Sequence, residues 1–175
     1  MEKQFTFDVS DLRNKSLGAT ISYSFDTKTN MDEVDLEQNV KGELNLMAVE
    51  EGILVQIENL ETKAKLKCDK CLDNYQYQVK ISKIERVFFY QKPEKIEDPN
   101  DIYFIDMKKL QIDITELLRQ EIILQFPLIS VCSKSCEGIC PKCGKNRNKQ
   151  KCNCKIVEHK PEKYYPLAKL KDLLK

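Results

Sequence analysis

Tryptophan is absent from this 175-residue chain, and histidine occurs once, at position 159. His159 lies outside every cysteine pair, so it reads as a surface residue and no histidine-based metal site can be drawn. No nucleophile–base pair and no phosphate-binding loop stands out either, which removes the residue sets that enzyme chemistry asks for. Glycine and proline number only 5 and 6, and 41% of residues are hydrophobic, so the chain is too poor in loop formers to be disordered and should fold. No apolar run approaches the roughly 18 residues of a membrane span. The first residues, MEKQFTFDVS, lack the basic end and apolar stretch of a signal peptide. The expectation is therefore a cytoplasmic protein with no membrane contact and no small-molecule substrate.

Net charge is also scarce, at +1, but its distribution is uneven. Residues 133–175 hold 12 Lys plus Arg against 4 Asp plus Glu, whereas the first 132 residues hold 17 against 24. Between Lys142 and Lys155 there are six basic residues and no acid. Such an end suits a polyanion, although a lysine-rich tail can also serve solubility alone. Thiolates change the count: eight of them with two zinc ions move the total from +1 to about −3.

The length allows one body with a core and a small appendage. Phe5, Phe7 and Val9 alternate with polar neighbours, as do Ile21, Tyr23 and Phe25, the period expected of strands with one covered face. Leu44, Leu46 and Ala48 lead through Glu50-Glu51-Gly52 to Ile53, Val55 and Ile57, which predicts a hairpin. Ala64 and Leu66 run into Cys68-Asp69-Lys70-Cys71, and Tyr75, Tyr77, Val79 and Ile81 run out of it, which predicts a second hairpin with the CxxC at its tip. Glu50-Glu51 and Asp32-Glu33 read as turn and surface charge, not acid–base catalysts. Lys92–Asn100, with Pro93 and Pro99, reads as a loop, and Ile102, Phe104 and Ile105 as a short strand. The period then changes. Ile114, Leu117, Leu118, Glu121 and Ile122 are spaced for an amphipathic helix, capped by Asp113 or Thr115 and ending near Phe126-Pro127. Leu167, Leu170, Leu173 and Leu174 give a short terminal helix an apolar stripe that needs a surface, here expected to be the body itself.

The expected class is α+β: a mainly antiparallel sheet or partly closed barrel with one covering helix. Residues 1–131 would form that body, including the hairpin CxxC. Residues 132–175 would form a cysteine-rich, basic, zinc-binding segment with its terminal helix packed on the body.

Against these absences stand eight cysteines in four close pairs: Cys68/Cys71, Cys132/Cys136, Cys140/Cys143 and Cys152/Cys154. A tight turn can present two thiolates to one ion while its backbone N–H groups donate to the sulfurs, so four pairs make two tetrahedral sites. Disulfides fit poorly without a secretory signal. A redox CxxC should open a helix, and Cys68 and Cys71 lie between strands. Iron–sulfur ligation shares the same donor set, and spacing does not separate it from zinc. Cys140-Pro141-Lys142-Cys143-Gly144 followed by Cys152-Asn153-Cys154 resembles a zinc ribbon or knuckle, with Gly144 free to adopt positive φ after the second ligand. That leaves Cys68, Cys71, Cys132 and Cys136 for the other ion, although spacing also allows Cys132, Cys136, Cys140 and Cys143 to share one. All-cysteine sites are coordinatively closed, which makes these zinc ions structural. Residues 132–155 contain few large apolar side chains, so without metal this segment should lack order.

CDKCL, a helix running into FPLISVC, CEGICPKCGKNRNKQKCNC and the leucine-rich LAKLKDLL together resemble the YceD-like family, over about residues 60–175. The resemblance implies a bacterial-type role in accumulation of large-subunit (23S) ribosomal RNA and hence in ribosome biogenesis, with no catalytic residues to carry over. On that footing the leading reading is a non-catalytic assembly factor whose zinc-stiffened basic end contacts ribosomal RNA or a ribosomal protein of the large subunit. Lys142, Lys145, Arg147, Lys149 and Lys151 would meet phosphates, with Asn146 and Asn148 adding hydrogen bonds. The loop carries no aromatic to stack a base, so sequence readout of single strands is not supported there. The alternative is a protein–protein adaptor whose acidic body and leucine stripe dock on a ribosomal protein or assembly factor without touching RNA.

Overall fold

The computed structural model describes residues 5–93 and 102–154. In chain order the elements are β1 (Thr6–Asp8), α1 (Ser10–Arg13), β2 (Thr20–Thr27), β3 (Val40–Val49), β4 (Gly52–Lys67), β5 (Asn74–Phe89), β6 (Tyr103–Phe104), β7 (Gln111–Asp113) and α2 (Thr115–Leu124). A five-stranded sheet has the order β2-β3-β4-β5-β6, and β1 pairs with β7 in a small second sheet. The expected class holds, and the sheet is open, not closed into a barrel, with β2 and β6 at its edges. It is also not wholly antiparallel, because β6 joins β5 in parallel through Phe88–Tyr103 and Phe89–Phe104. Neither β7 nor α1 announces itself in the sequence, since each is too short for a period to show.

The two predicted hairpins share one strand. β4 runs unbroken through both, but the β3–β4 register shifts between Lys41 and Glu43, and Asn59 opposite that shift has φ 53°. A bulge inserts one extra residue and bends the strand. Buried positions therefore change from Ile53, Val55 and Ile57 to Leu60, Thr62 and Ala64, so both halves of the strand face one core. That change of parity is what makes the sequence read as two strands.

α2 covers this inner face. Leu117, Leu118 and Ile122, with Ile114 just before the helix, are buried in the same cluster as Leu44, Leu46, Val55, Ile84 and Phe88. Burying each such side chain is worth roughly 1.5–3 kcal/mol, so the helix is held by packing more than by its own propensity. The N-cap position falls to Ile114, without a side-chain cap hydrogen bond, and not to Asp113 or Thr115 as expected; Asp113 Oδ1, one residue earlier, accepts from Thr115 N (3.0 Å) and Thr115 Oγ1 (2.6 Å). No helix among the described residues is long and apolar enough to cross a membrane. The predicted loop over Lys92–Asn100 falls almost wholly outside the described residues, as do His159 and the predicted terminal helix with Leu167, Leu170, Leu173 and Leu174.

Contacts along β5 carry the chain from α2 to the cysteines. Arg86 Nη2 pairs with Glu121 Oε1 at 2.9 Å. Farther along, Tyr77 donates its hydroxyl to Gln125 O at 3.0 Å and meets the Phe126 ring edge-on. Next, the hydroxyls of Tyr75 and Ser130 lie 2.8 Å apart. The chain leaving the helix is thereby laid against the tip of the β4–β5 hairpin.

Candidate metal centres

The hairpin tip spans Cys68 to Asp73, closed by Cys68 N donating to Asp73 O at 2.9 Å and turned by Leu72 at φ 62°. Asp69 fastens the incoming segment twice: its N–H donates to Ser130 O at 2.7 Å, and its Oδ2 accepts from Ser130 N at 2.6 Å. Two residues on, Cys132 enters the site. Cys68, Cys71, Cys132 and Cys136 bring four sulfurs within 4.8 Å of one another, and Cys140, Cys143, Cys152 and Cys154 bring four more. Cys68 Sγ lies 3.9 Å from Cys136 Sγ, and Cys71 Sγ lies 3.7 Å from Cys132 Sγ. A tetrahedron with Zn–S of about 2.3 Å requires sulfur edges of about 3.8 Å. The donor set therefore fits a metal ion, and all eight cysteines have free thiols.

The surroundings of the sulfurs favour negative charge at some and resist it at others. Burial pushes the Cys68 thiol up, but the backbone N–H groups of Cys132, Cys71 and Lys70 outweigh it and hold the pKa at about 6. Burial together with the neighbouring sulfurs pushes Cys132 up to about 12. In the second tetrad the backbone N–H groups of Cys143 and Lys142 bring Cys140 down to about 6. There the adjoining Cys143 sulfur, then burial, raise Cys154 to about 12. Each tetrad thus accommodates some negative charge unaided, and four thiolates together require a cation among them.

The first tetrad is the deeper one, with Cys68, Cys71 and Cys136 buried, whereas Cys143 of the second is exposed. The two are joined directly. Gly138, between them, has φ 73°, and a Cβ there would stand 2.9 Å from Lys70 O. Only glycine allows that approach without displacement. Ile139 N donates to Lys70 O at 3.0 Å and Arg147 N to Gly138 O at 2.8 Å, so the second tetrad's loop lies back along the hairpin tip.

The model of the family described as large ribosomal RNA subunit accumulation protein YceD matches residues 58–174. The chain belongs to the YceD family. A curated relative in Arabidopsis thaliana is named large ribosomal RNA subunit accumulation protein YCED homolog 1, chloroplastic; it is 39% identical over 62 residues, which cover 35% of this chain and 19% of that protein. The match thus spans under a fifth of the relative's length. No solved structure matches.

The basic residues of this YceD chain divide into two groups. Lys142, Lys145 and Lys151 are exposed, and no ion pair involves them among the described residues. Arg147 Nε is 3.9 Å from Glu137 Oε2, and Lys149 Nζ is 2.9 Å from Asp73 Oδ2. Asn146, half-buried, and Asn148, exposed, make hydrogen bonds within the protein. Asn146 Nδ2 donates to Asp73 Oδ2 at 2.8 Å, Asn148 Oδ1 accepts from Glu137 N at 2.8 Å, and Asn148 Nδ2 reaches Cys136 Sγ at 3.4 Å. Asp69, Asp73, Ser130 and Gly138 are the site residues that spacing did not single out as individuals. Their partners lie far away in sequence, and only the bare presence of polar residues beside a CxxC could have drawn attention to them.

Proposed function

We propose that the chain is a non-catalytic factor in accumulation of large-subunit ribosomal RNA, in which two structural zinc ions stiffen a lysine-bearing surface that contacts that RNA. Family membership supports the setting. The observation that carries the molecular reading is the junction of two closed cysteine tetrads with the 144–151 loop, which has no apolar side chain of its own. Cys68, Cys71, Cys132 and Cys136 hold one ion; Cys140, Cys143, Cys152 and Cys154 hold the other. Zinc supplies folding energy here, not a reactive water. Lys142, Lys145 and Lys151 meet phosphates as point charges, with Arg147 and Lys149 beside them, and no base is read.

A second reading, the protein adaptor, draws support from Leu124, Leu128 and Ile129, which are 72%, 104% and 72% exposed where the chain passes from α2 to the first tetrad. Exposed apolar side chains grouped in this way suit a protein partner. Retention of the full chain on large-subunit ribosomal RNA across a salt series separates the two. The RNA reading expects binding that falls steeply with salt and is lost when Lys142, Lys145 and Lys151 become glutamate. Retention no greater than that of an unrelated neutral protein contradicts it and favours the adaptor.

A further inference from the structure

We propose that the two metal sites load cooperatively, because the loop closed by the second tetrad supplies outer contacts to the Cys136 sulfur and to the hairpin tip that carries Cys71, with Asn148 and Asn146 as positioning residues. This rests on the reading that both tetrads take zinc. The contacts run in one direction along the chain. Asn148 gives its side-chain N–H to Cys136 Sγ at 3.4 Å while its oxygen accepts from Glu137 N at 2.8 Å, so one side chain orients a ligand and the residue after it. Asn146 gives its amide to Asp73 Oδ2 at 2.8 Å and approaches Cys71 O at 3.5 Å. Lys149 Nζ completes the set on Asp73 Oδ2 at 2.9 Å. Every one of these groups lies between Cys143 and Cys152.

The loop cannot hold this shape by burial. Gly144 to Lys151 reads GKNRNKQK, and only Asn146 is even partly buried. Its order comes from closure at the second tetrad, seen in Cys140 N donating to Lys145 O and Gly144 N to Cys140 O, each at 2.8 Å. A metal bound by Cys140, Cys143, Cys152 and Cys154 therefore prepays the ordering of groups that hydrogen-bond around the first site. Hydrogen bonds to thiolates and to ligand-bearing backbone fix ligand orientation and tune donor strength. Coupling of this kind is reciprocal, so filling the first site tightens the second by the same factor.

The test uses the full metal-free chain under reducing conditions, with zinc titrated against a chromophoric chelator of known affinity, and cobalt(II) as the spectroscopic probe. The unaltered chain should take up two zinc ions. Cys152→Ser with Cys154→Ser removes the second site, and the first should then bind about 10–100-fold more weakly. Asn148→Ala keeps all eight cysteines. It should lower the cooperativity, Asn146 and Lys149 still holding Asp73, and move the sulfur-to-cobalt charge-transfer band of the first site to lower energy, since a thiolate that loses an N–H donor is a stronger electron donor. A helix or sheet contact of purely structural importance would not move that band. Two zinc ions on the unaltered chain, with first-site affinity unchanged in both variants, overturn the coupling and leave the metal reading standing. Fewer than two zinc ions on the unaltered chain overturn both.

Discussion

Lys149 Nζ sits 2.9 Å from Asp73 Oδ2, so a lysine from the basic loop is tied to the hairpin that carries the first CxxC. Asn146 reaches the same carboxylate oxygen at 2.8 Å. Among the described residues this joins the basic surface to the first cysteine tetrad, and it divides the loop's lysines by role. Lys149 is engaged within the protein, while Lys142, Lys145 and Lys151 face outward.

Reversing charge at the two kinds of lysine should therefore have separable effects. Lys142→Glu, Lys145→Glu and Lys151→Glu together should leave metal content intact and lower RNA affinity. If each lysine neutralises one phosphate, the slope of log affinity against log salt should become shallower by about 2, at about 0.7 per phosphate for single strands. Lys149→Glu should instead loosen the loop from the hairpin, read as faster amide exchange at Asn146 to Asn148. Equal losses of RNA affinity from Lys149→Glu alone and from the triple change would contradict this division.

Acidification should release metal before it breaks the Asp73 contact. The hydrogen bond from Lys149, opposed by burial and aided by charge and by Asn146, holds the Asp73 carboxyl below its ordinary value of 3.8. With the lower pKa in the folded state, this contact contributes in full above 3.8 and is lost as pH falls through the lowered value. Cys132 and Cys154, both raised to about 12, must give up protons to bind metal, so apparent zinc affinity rises with pH across the neutral range. Zinc release to a chelator should thus begin well above pH 3.8, with loop protection in hydrogen exchange following the metal. Loop opening that waits for Asp73 protonation would contradict the order.

Gly138→Ala should weaken the junction. The new Cβ meets Lys70 O at 2.9 Å, and the residue is held at φ 73°; strain of this type costs about 1–3 kcal/mol. Limited proteolysis should cut sooner between Cys136 and Cys154 with the sheet body unaffected. An unchanged cleavage pattern would show that the approach to Lys70 is adaptable.

Leu118→Ala probes the body separately. Leu118, on the inner face of α2, is fully buried, and its truncation should cost about 2–5 kcal/mol of body stability. Thermal unfolding followed by sheet signal should register the loss, with metal content per chain unchanged. A metal content that falls together with the body's stability would mean that the cysteine-rich end depends on α2 more closely than the contacts along β5 suggest.

What the sequence made legible is whatever repeats locally. The alternation at Ile53, Val55 and Ile57 and the three-and-four spacing at Leu117, Leu118 and Ile122 each report a covered face, and the structure buries all six. The CxxC at a hairpin tip followed from strand patterns on either side, and the division of the cysteines into Cys68/Cys71/Cys132/Cys136 and Cys140/Cys143/Cys152/Cys154 is the grouping the fold brings within reach. The single long β4 was hidden because the bulge at Asn59 reverses parity. The short strand expected around Ile102 to Ile105 is present as β6, but its parallel pairing with Phe88 and Phe89 has no local sign in the sequence, and its outward Phe104 is 51% exposed. Asn146, Asn148 and Asp73 were least legible. A polar residue in a lysine-rich loop gives no local sign that its partner is a carboxylate 73 residues earlier.

Zinc measured per chain by elemental analysis, on full-length protein purified under reducing conditions, tests the account most directly when paired with hydrogen exchange over residues 132–154. Two zinc ions per chain are predicted, matching the two tetrads, and stripping them should abolish exchange protection in that segment while the sheet keeps its own. A chain that holds no metal and still protects those residues would contradict it.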